Sequence, residues 1–491
     1  MERTLDGVAL FLEHHPIRRT LFSYFKLDYL SALDFLLRKY GYGESDPKPN
    51  AMFNVYVDVL APSYSYCGAE RAVDVLRTIM GSRFDFVIAS RYRYCFMMDC
   101  LTMLAYSDMG KAKKIFEDLC QFAPERSRSP LHTLFNYLYL QGNNDKPPVS
   151  NIKYQLKCLE KTRAFVKRPQ RRILVTATMS AGKSTLINAL VGKQVSRTQN
   201  EACTGKIHYI HDKPYEDGFT CKWESTLDMN ATGDNLLSYD DSGEPVDVWT
   251  HFRAFLSDKF RWCFIDTPGV NSSLNMEHAN LAHKAIKEEQ YDRLIYVING
   301  EHYGTNDDKE HLEYVAQHVP SSKVVFVFNK LDNYDVEDDS IPESVSNVRE
   351  YLEKAGFKSP VVCPMSAYAA WLAKKYLFGE VMKPQENGKL QIMLSQFQME
   401  DYDLSRFALD LTEEDKTLRS PTARNEKLSL DCYELLSNCG FLWLEKALGD
   451  NNQLRNLADT VNTNEKRIAS MTRIKVKDLK EAVRQYKRSQ H

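Results

Sequence analysis

Apolar side chains in the first 145 residues recur at helical spacing. Leu27, Leu30, Leu33, Phe35 and Leu36 make one stripe, and Val73, Val75, Leu76 and Met80 a second. Cys100, Leu101 and Leu104, then Ile115, Phe116 and Leu119, continue the pattern. Steps of three and four residues place such side chains on one helix face. Breaks fall at Gly41–Pro49, Ala61-Pro62, Gly81 and Pro124, and the polar run QGNNDKPP (141–148) reads as a linker. Ala69–Leu76 and Lys111–Leu119 both open after a glycine and predict second helices of helical hairpins, stacked as a short solenoid or gathered in an irregular bundle. Tyr154–Arg168 predicts a further amphipathic helix.

Beyond residue 168 the period shortens. Ile173–Val175, the run WCFID (262–266), VVFVF (324–328) and Val361–Cys363 are short, unbroken apolar segments separated by helical patterns. That is the signature of strands buried on both faces, hence of an α/β domain with a mostly parallel sheet. Lys206–His211 and Phe219–Glu224 alternate like strands around the turn Pro214–Gly218, and the polar stretch Asp228–Asp247 reads as a mobile loop. Tyr368–Phe378 predicts a helix, Pro384–Lys389 a polar linker, and the remainder, including GFLWLEKAL (440–448), helices with gaps. The resulting division is a helical module at 1–150, a connecting helix at 151–168, an α/β domain at 169–382 and a helical C-terminal region at 383–491.

Composition narrows the class by exclusion. The chain has 491 residues, with 64 Lys and Arg against 66 Asp and Glu, a net charge of −2. Such a balance gives no electrostatic footprint for nucleic acid. Eleven scattered cysteines with no CxxC pair argue for free thiols, a reducing cytoplasmic setting and no zinc site. The opening MERTLDGVALFLEHHP lacks the basic and long apolar regions of a signal peptide, and no apolar run approaches the roughly 18 residues of a bilayer span. Arg473–Arg488 carries seven basic residues against two acidic ones. Its few apolar positions (Ile474, Val476, Leu479, Val483) leave open a peripheral membrane contact, a partner-docking arm or a solvated face. The N-terminal aromatics Phe53, Tyr56, Tyr64, Tyr66, Tyr92 and Tyr94 read as core and interface.

The chemistry concentrates in four segments of the α/β domain. Residues 177–185, ATMSAGKST, follow an apolar strand and open a helix (Leu186, Ile187, Ala189, Leu190), the context a phosphate-cradling loop requires. Gly182 lets backbone N–H groups turn toward phosphate, flanked by Ala181 and Thr185; Lys183 supplies a charge for the β- and γ-phosphates, and Ser184 a hydroxyl for Mg2+. Ala177 stands where a glycine is usual. WCFIDTPG (262–269) ends a strand at Asp266, within reach of Mg2+ through water, and turns at Gly269, whose N–H can meet a γ-phosphate. VVFVFNKLD (324–332) presents Asn329, Lys330 and Asp332. A carboxylate at Asp332 can accept from both the ring N–H and the exocyclic amine of guanine, a pair adenine lacks, while the stem of Lys330 covers the base face. Ser366-Ala367, behind the strand Val361–Cys363, backs the base.

The order P-loop, Thr, DTPG, NKLD, SA resembles that of the Ras-like GTPases. SAGKS, Asn200-Glu201-Ala202-Cys203-Thr204 and the stretch YVINGEHYGTNDDKEHL (296–312) are similar to the dynamin superfamily, in particular its bacterial dynamin-like members. The resemblance spans roughly 166–380 and implies GTP hydrolysis to GDP and phosphate with Mg2+. By the same resemblance, Thr204 is the switch threonine over Mg2+ and the attacking water, and Ser180 stabilises the transition state. Asn306 and Asp307 lie on a loop that reaches across a G-domain dimer, or simply cap the helix that starts near Asp308. The sequence departs from the eukaryotic pattern at Met179, where a glutamine is usual, which puts the efficiency of hydrolysis in question and not the binding. Arg197, in the loop before Thr204, contacts the phosphates or, by the plainer reading, is a surface arginine. Two jobs follow. One is an assembling GTPase that remodels membranes. The other is a soluble GTP-gated switch whose N-terminal helices bind a protein partner.

Overall fold

The computed structural model describes residues 3–449, apart from 6–7, 9, 21–22, 42–45, 82–91, 107, 141–148, 198–204, 241–242, 255–258, 271–275, 338–339 and 408–425. The QGNNDKPP linker, the segment holding Thr204 and the basic stretch Arg473–Arg488 therefore lie outside the described residues. Two units emerge: one of Met1–Arg168 with Pro214–Thr232, the other of Pro169–Lys213 with Gly233–His491.

The first unit is a helical bundle. Its helices are α1 (Ser23–Tyr40), α2 (Lys48–Leu60), α3 (Ala69–Gly81), α4 (Arg93–Leu104), α5 (Met109–Cys120), α6 (Glu125–Tyr139) and α7 (Lys153–Val166). In a solenoid each repeat touches only its neighbours. Here α1 packs on α2, α3 and α4, and α4 packs also on α2, α5 and α6, so the solenoid expectation gives way to the bundle. The reason lies in α4, whose residues are buried all round, making it a hub that no one-dimensional stack provides. Helix α5 starts where Asp108 accepts the N–H of Lys111 at 2.9 Å, an N-cap worth about 1 kcal/mol.

The second unit is built on a sheet. Strand β1 (Gln170–Ala177) is followed by α8 (Lys183–Val191) and β2 (His208–Asp212). The chain then makes a small antiparallel ladder within the first unit, β3 (Cys221–Trp223) against β4 (Leu227–Asp228). It returns through α9 (Gly233–Leu237) to β5 (Val246–Thr250), β6 (Arg261–Asp266), α10 (Met276–Glu288) and β7 (Arg293–Asn299). After these come α11 (Asn306–His318), β8 (Val324–Asn329), α12 (Ile341–Lys354), β9 (Val361–Pro364) and α13 (Ala367–Leu377). Within this unit the strands run β5-β2-β6-β1-β7-β8-β9. All neighbours are parallel except β2 with β6. Every residue of β8 is buried, as strands covered on both faces must be.

Two expectations fail here. The predicted loop Asp228–Asp247 contains α9 and enters β5, whose residues are all buried. Its polar Asp247 hid the strand; that carboxylate is satisfied by His211 at 2.9 Å. The predicted linker Pro384–Lys389 is the start of helix α14 (Pro384–Gln396). Proline fits a first helical turn, and Glu386 folds back to accept the N–H of Lys383 at 2.8 Å while pairing with Lys375, also at 2.8 Å. Helices α15 (Glu426–Asn438) and α16 (Phe441–Gly449) follow. Among the described residues, no helix is long and apolar enough to cross a membrane.

Candidate nucleotide site

Parallel strands deliver their C-terminal ends to one edge of the sheet, and that edge is where such sheets bind ligands. Register sets which residues meet there. Val175 of β1 lies opposite Asp266 of β6, Ala177 opposite Val297 of β7, and Asn299 opposite Asn329 of β8.

The loop after β1 is fastened to the DTPG turn before it bends. The N–H of Val270 donates to Ala177 at 3.0 Å, and that of Met179 donates to Val270 at 3.1 Å. Ser180 (φ 58°) and Gly182 (φ 90°) are both left-handed. Two such residues flanking Ala181 give a concave run of backbone N–H groups at the start of α8. Gly182 is required for a second reason: a Cβ there would stand 2.3 Å from the side-chain nitrogen of Asn329. That Asn329 amide donates to the carbonyl of Ala181 at 2.9 Å and accepts the N–H of Ala367 at 2.9 Å. One buried side chain thus ties together the P-loop, the NKLD loop and the Ser366-Ala367 turn. Ala177 is fully buried, with its carbonyl committed to Val270.

Lys183, the first residue of α8, is buried and ion-pairs with Asp266. The other carboxylate oxygen of Asp266 accepts the hydroxyl of Ser196 at 3.0 Å. Ser196 is held in turn by Asn188, whose side chain bonds the backbone of Val195 and Ser196 at 2.8–2.9 Å. Neither Asn188 nor Ser196 stood out in the sequence, because neither matches a motif: Asn188 acts on backbone and Ser196 on a carboxylate far away in the chain. Ser184 and Thr185 follow in the first turn of α8, half-buried, and Ser180 is exposed. The hydroxyl of Ser184 and the carboxylate of Asp266 are hard oxygen donors, few in number, as Mg2+ prefers. Gly269 lies against Met179: a Cβ there would meet the Met179 side chain at 3.4 Å. Arg197 lies over the ring of Tyr239 at 5.4 Å.

The NKLD loop is equally constrained. Lys330 is left-handed (φ 71°), and its ammonium meets Glu301 at 2.7 Å. Glu301 also accepts from Asn333 at 2.9 Å, and the bond from Lys330 holds its carboxyl below the usual range. Asp332 accepts the hydroxyl of Ser366 at 2.6 Å; burial pushes its pKa up, and this hydrogen bond opposes the shift. Ser366 also caps α13 by accepting the N–H of Ala369 at 3.0 Å. Asn306 and Asp307 occupy the first turn of α11, capped by Thr305, two residues before the expected start at Asp308. Asp308 is buried instead, accepting from Tyr296 at 2.8 Å and Tyr351 at 3.2 Å.

Residues 173–331 match the model described as the Dynamin family. This segment is dynamin-like. The α/β unit has the P-loop GTPase fold flanked by helices, the fold class expected. Solved structures with detectable similarity include Toc33 from Arabidopsis thaliana with GDP and Mg2+, at 17% identity over 43% of this chain and 78% of that one, TM-score 0.28. A variant of Era from Aquifex aeolicus, bound to GDP and AlF4−, is 17% identical over 40% of this chain and 50% of its own, TM-score 0.25. No curated protein matches the chain significantly. The dynamin-like segment holds both Asn329 and Asp266, and ends one residue before Asp332.

Proposed function

We propose that the dynamin-like domain binds GTP and hydrolyses it to GDP and phosphate. The bracing by Asn329 carries this reading: it joins a phosphate cradle to a carboxylate poised for guanine, which is the division of labour a guanine nucleotide requires. The cradle N–H groups and Lys183 bind the phosphates, Asp332 takes the base, and Ser366-Ala367 backs it. Mg2+, held by Ser184 and Asp266 with Thr204, would neutralise phosphate charge. Ser180, exposed on the left-handed turn, would donate toward the transferring phosphoryl group. Phosphoryl transfer depends on positioning and charge more than covalent chemistry, so a second G domain completing the site through Asn306 and Asp307 is reasonable.

A second reading, a GTP-gated switch acting through the N-terminal helices, has its own observation. Strand β2 begins at His208, opposite Asp266, and the chain leaving it at Pro214 folds with the first unit until Thr232. A change at the Asp266 edge thereby has a covalent route into the helical unit. Turnover of GTP against protein concentration, with and without liposomes, separates the two. Specific activity rising with concentration supports assembly, and lipid stimulation supports membrane action. A flat rate indifferent to lipid supports the switch, and no turnover with tight GTP binding refutes hydrolysis.

A further inference from the structure

We propose that Gln396, outside the dynamin-like segment, is a positioning residue for guanine recognition; the inference rests on the GTP reading. Its side-chain amide donates to the backbone carbonyl of Asp332 at 2.9 Å. Gln396 is the last residue of α14 and half-buried. A glutamine at a helix end normally keeps its rotamer freedom in water, and fixing it costs side-chain entropy. Here that freedom is given up for a bond to the residue that faces the base.

The C-terminal helices hold Asp332 from two directions. Gln396 fixes its main chain. Its carboxylate is fixed by Ser366, whose own N–H donates to the carbonyl of Cys439 at 3.1 Å, in the turn between α15 and α16. Two residues beyond Asp332, the carbonyl of Tyr334 accepts the hydroxyl of Tyr402 at 2.5 Å. This wall is itself rigid. Gly440 is left-handed (φ 80°), and a Cβ there would stand 2.2 Å from the carbonyl oxygen of Pro364 at the end of β9. Asn438 donates to Phe397 at 2.9 Å, joining α15 to the end of α14. The fully buried pair Lys374–Glu445, at 2.7 Å, locks α16 onto α13. The base site therefore extends to residues that carry no GTPase motif. A displacement of about 1 Å in a recognising group is enough to cost two orders of magnitude, so the backbone of Asp332 is a sensible point to control.

The test is competition of GDP, IDP and ADP against a fluorescent guanine nucleotide on the full chain, its Gln396→Met and Gln396→Glu variants, and Tyr402→Phe. Both Gln396 substitutions keep the side-chain size; neither can donate. Gln396→Met is expected to weaken GDP about 10-fold with ADP unchanged, and Gln396→Glu to weaken it further by setting a second acceptor against the carbonyl. Tyr402→Phe, the mildest change, is expected to shift GDP in the same direction by a smaller factor. Unchanged GDP affinity in both Gln396 variants, or GDP and ADP weakening together, overturns the inference. A wild-type chain with no preference for GDP over ADP overturns the guanine reading beneath it, which is a separate result.

Discussion

The two units bury polar groups for different ends. In the helical unit His15 and Asp99 are almost completely inaccessible, joined at 2.9 Å, and Tyr29 donates to the same carboxylate oxygen at 2.6 Å. The N–H of Ile17 donates to Nδ1 of His15 at 3.2 Å, so Nε2 is the ring atom that donates to Asp99. Each member of this knot bonds another, with both bonds to Asp99 falling on one oxygen, and together they pin the N-terminal segment around His15 to α4. In β6, β7 and β8 of the α/β unit the strand interiors are apolar, and polar side chains gather where these strands end: Asp266, Asn299, Asn329. There they hold loops whose backbone faces outward. Polar bonds closed within a cluster of buried side chains mark groups that build the fold, and a polar group that presents backbone or charge at a sheet edge marks a site.

That contrast can be broken from either side. The largest expected effect is Asp99→Ala, which leaves His15 and Tyr29 facing a void; loss of a buried, paired carboxylate costs about 3–5 kcal/mol. Limited proteolysis and hydrogen exchange should show residues 1–168 opening while GTP affinity stays near wild type. If nucleotide binding fell in step with unfolding, the two units would not be separable in stability. Next is Lys183→Ala, expected to raise the dissociation constant for GTP by about 100-fold or more, since a charge-assisted phosphate contact is lost. Titration calorimetry measures it, and the melting of the helical unit should not move. Somewhat smaller is Asp332→Asn, which removes the paired acceptor. GTP-over-ATP selectivity should drop by about 100-fold with phosphate affinity retained; an unchanged ratio would remove Asp332 from base recognition.

Much of the second unit could be read from its residues because its motifs encode local backbone demands. Gly182 must be glycine for its φ and for the approach of Asn329; Pro268-Gly269 must turn; both leave marks in a few consecutive letters. What escaped is action at long range. Gln396 bonds the carbonyl of Asp332 and the carbonyl of Cys439 accepts the N–H of Ser366, and the backbone groups in these bonds are ones any sequence offers. Strand β5 lay hidden because a strand buried on both faces, with one paired aspartate, has no alternation to detect. The helical unit exposed its stripes and concealed its topology: periodicity identifies faces, and nothing in it says that α4 is the hub. Residues 214–232 read as part of the α/β domain because chain order was the only guide to their company.

The effect that is smallest near neutral pH, where it vanishes, concerns a residue that blurs the contrast. His311 of α11 is buried in the α/β unit, bonded to the hydroxyl of Thr176 in β1 at 2.9 Å and to His283 of α10 at 3.3 Å. Burial, with His283 adding to it, lowers its pKa from 6.5 to about 3, and burial likewise lowers that of His283. The unfolded chain takes up a proton near the ordinary value, while the folded chain declines it until far lower pH. The stability held by a neutral His311 is therefore complete above about pH 6.5 and is lost progressively as the pH falls toward about 3. His311→Gln keeps a partner for Thr176 without the titration. Its unfolding midpoint should fall less steeply than wild type across that interval, and the curves should run parallel above it. Parallel curves throughout would mean that the histidine is as protonated in the fold as out of it. The cluster between α10, α11 and β1 would then belong with the polar groups that present charge, and the rule separating fold-building from site-building groups would fail in the unit where it was drawn.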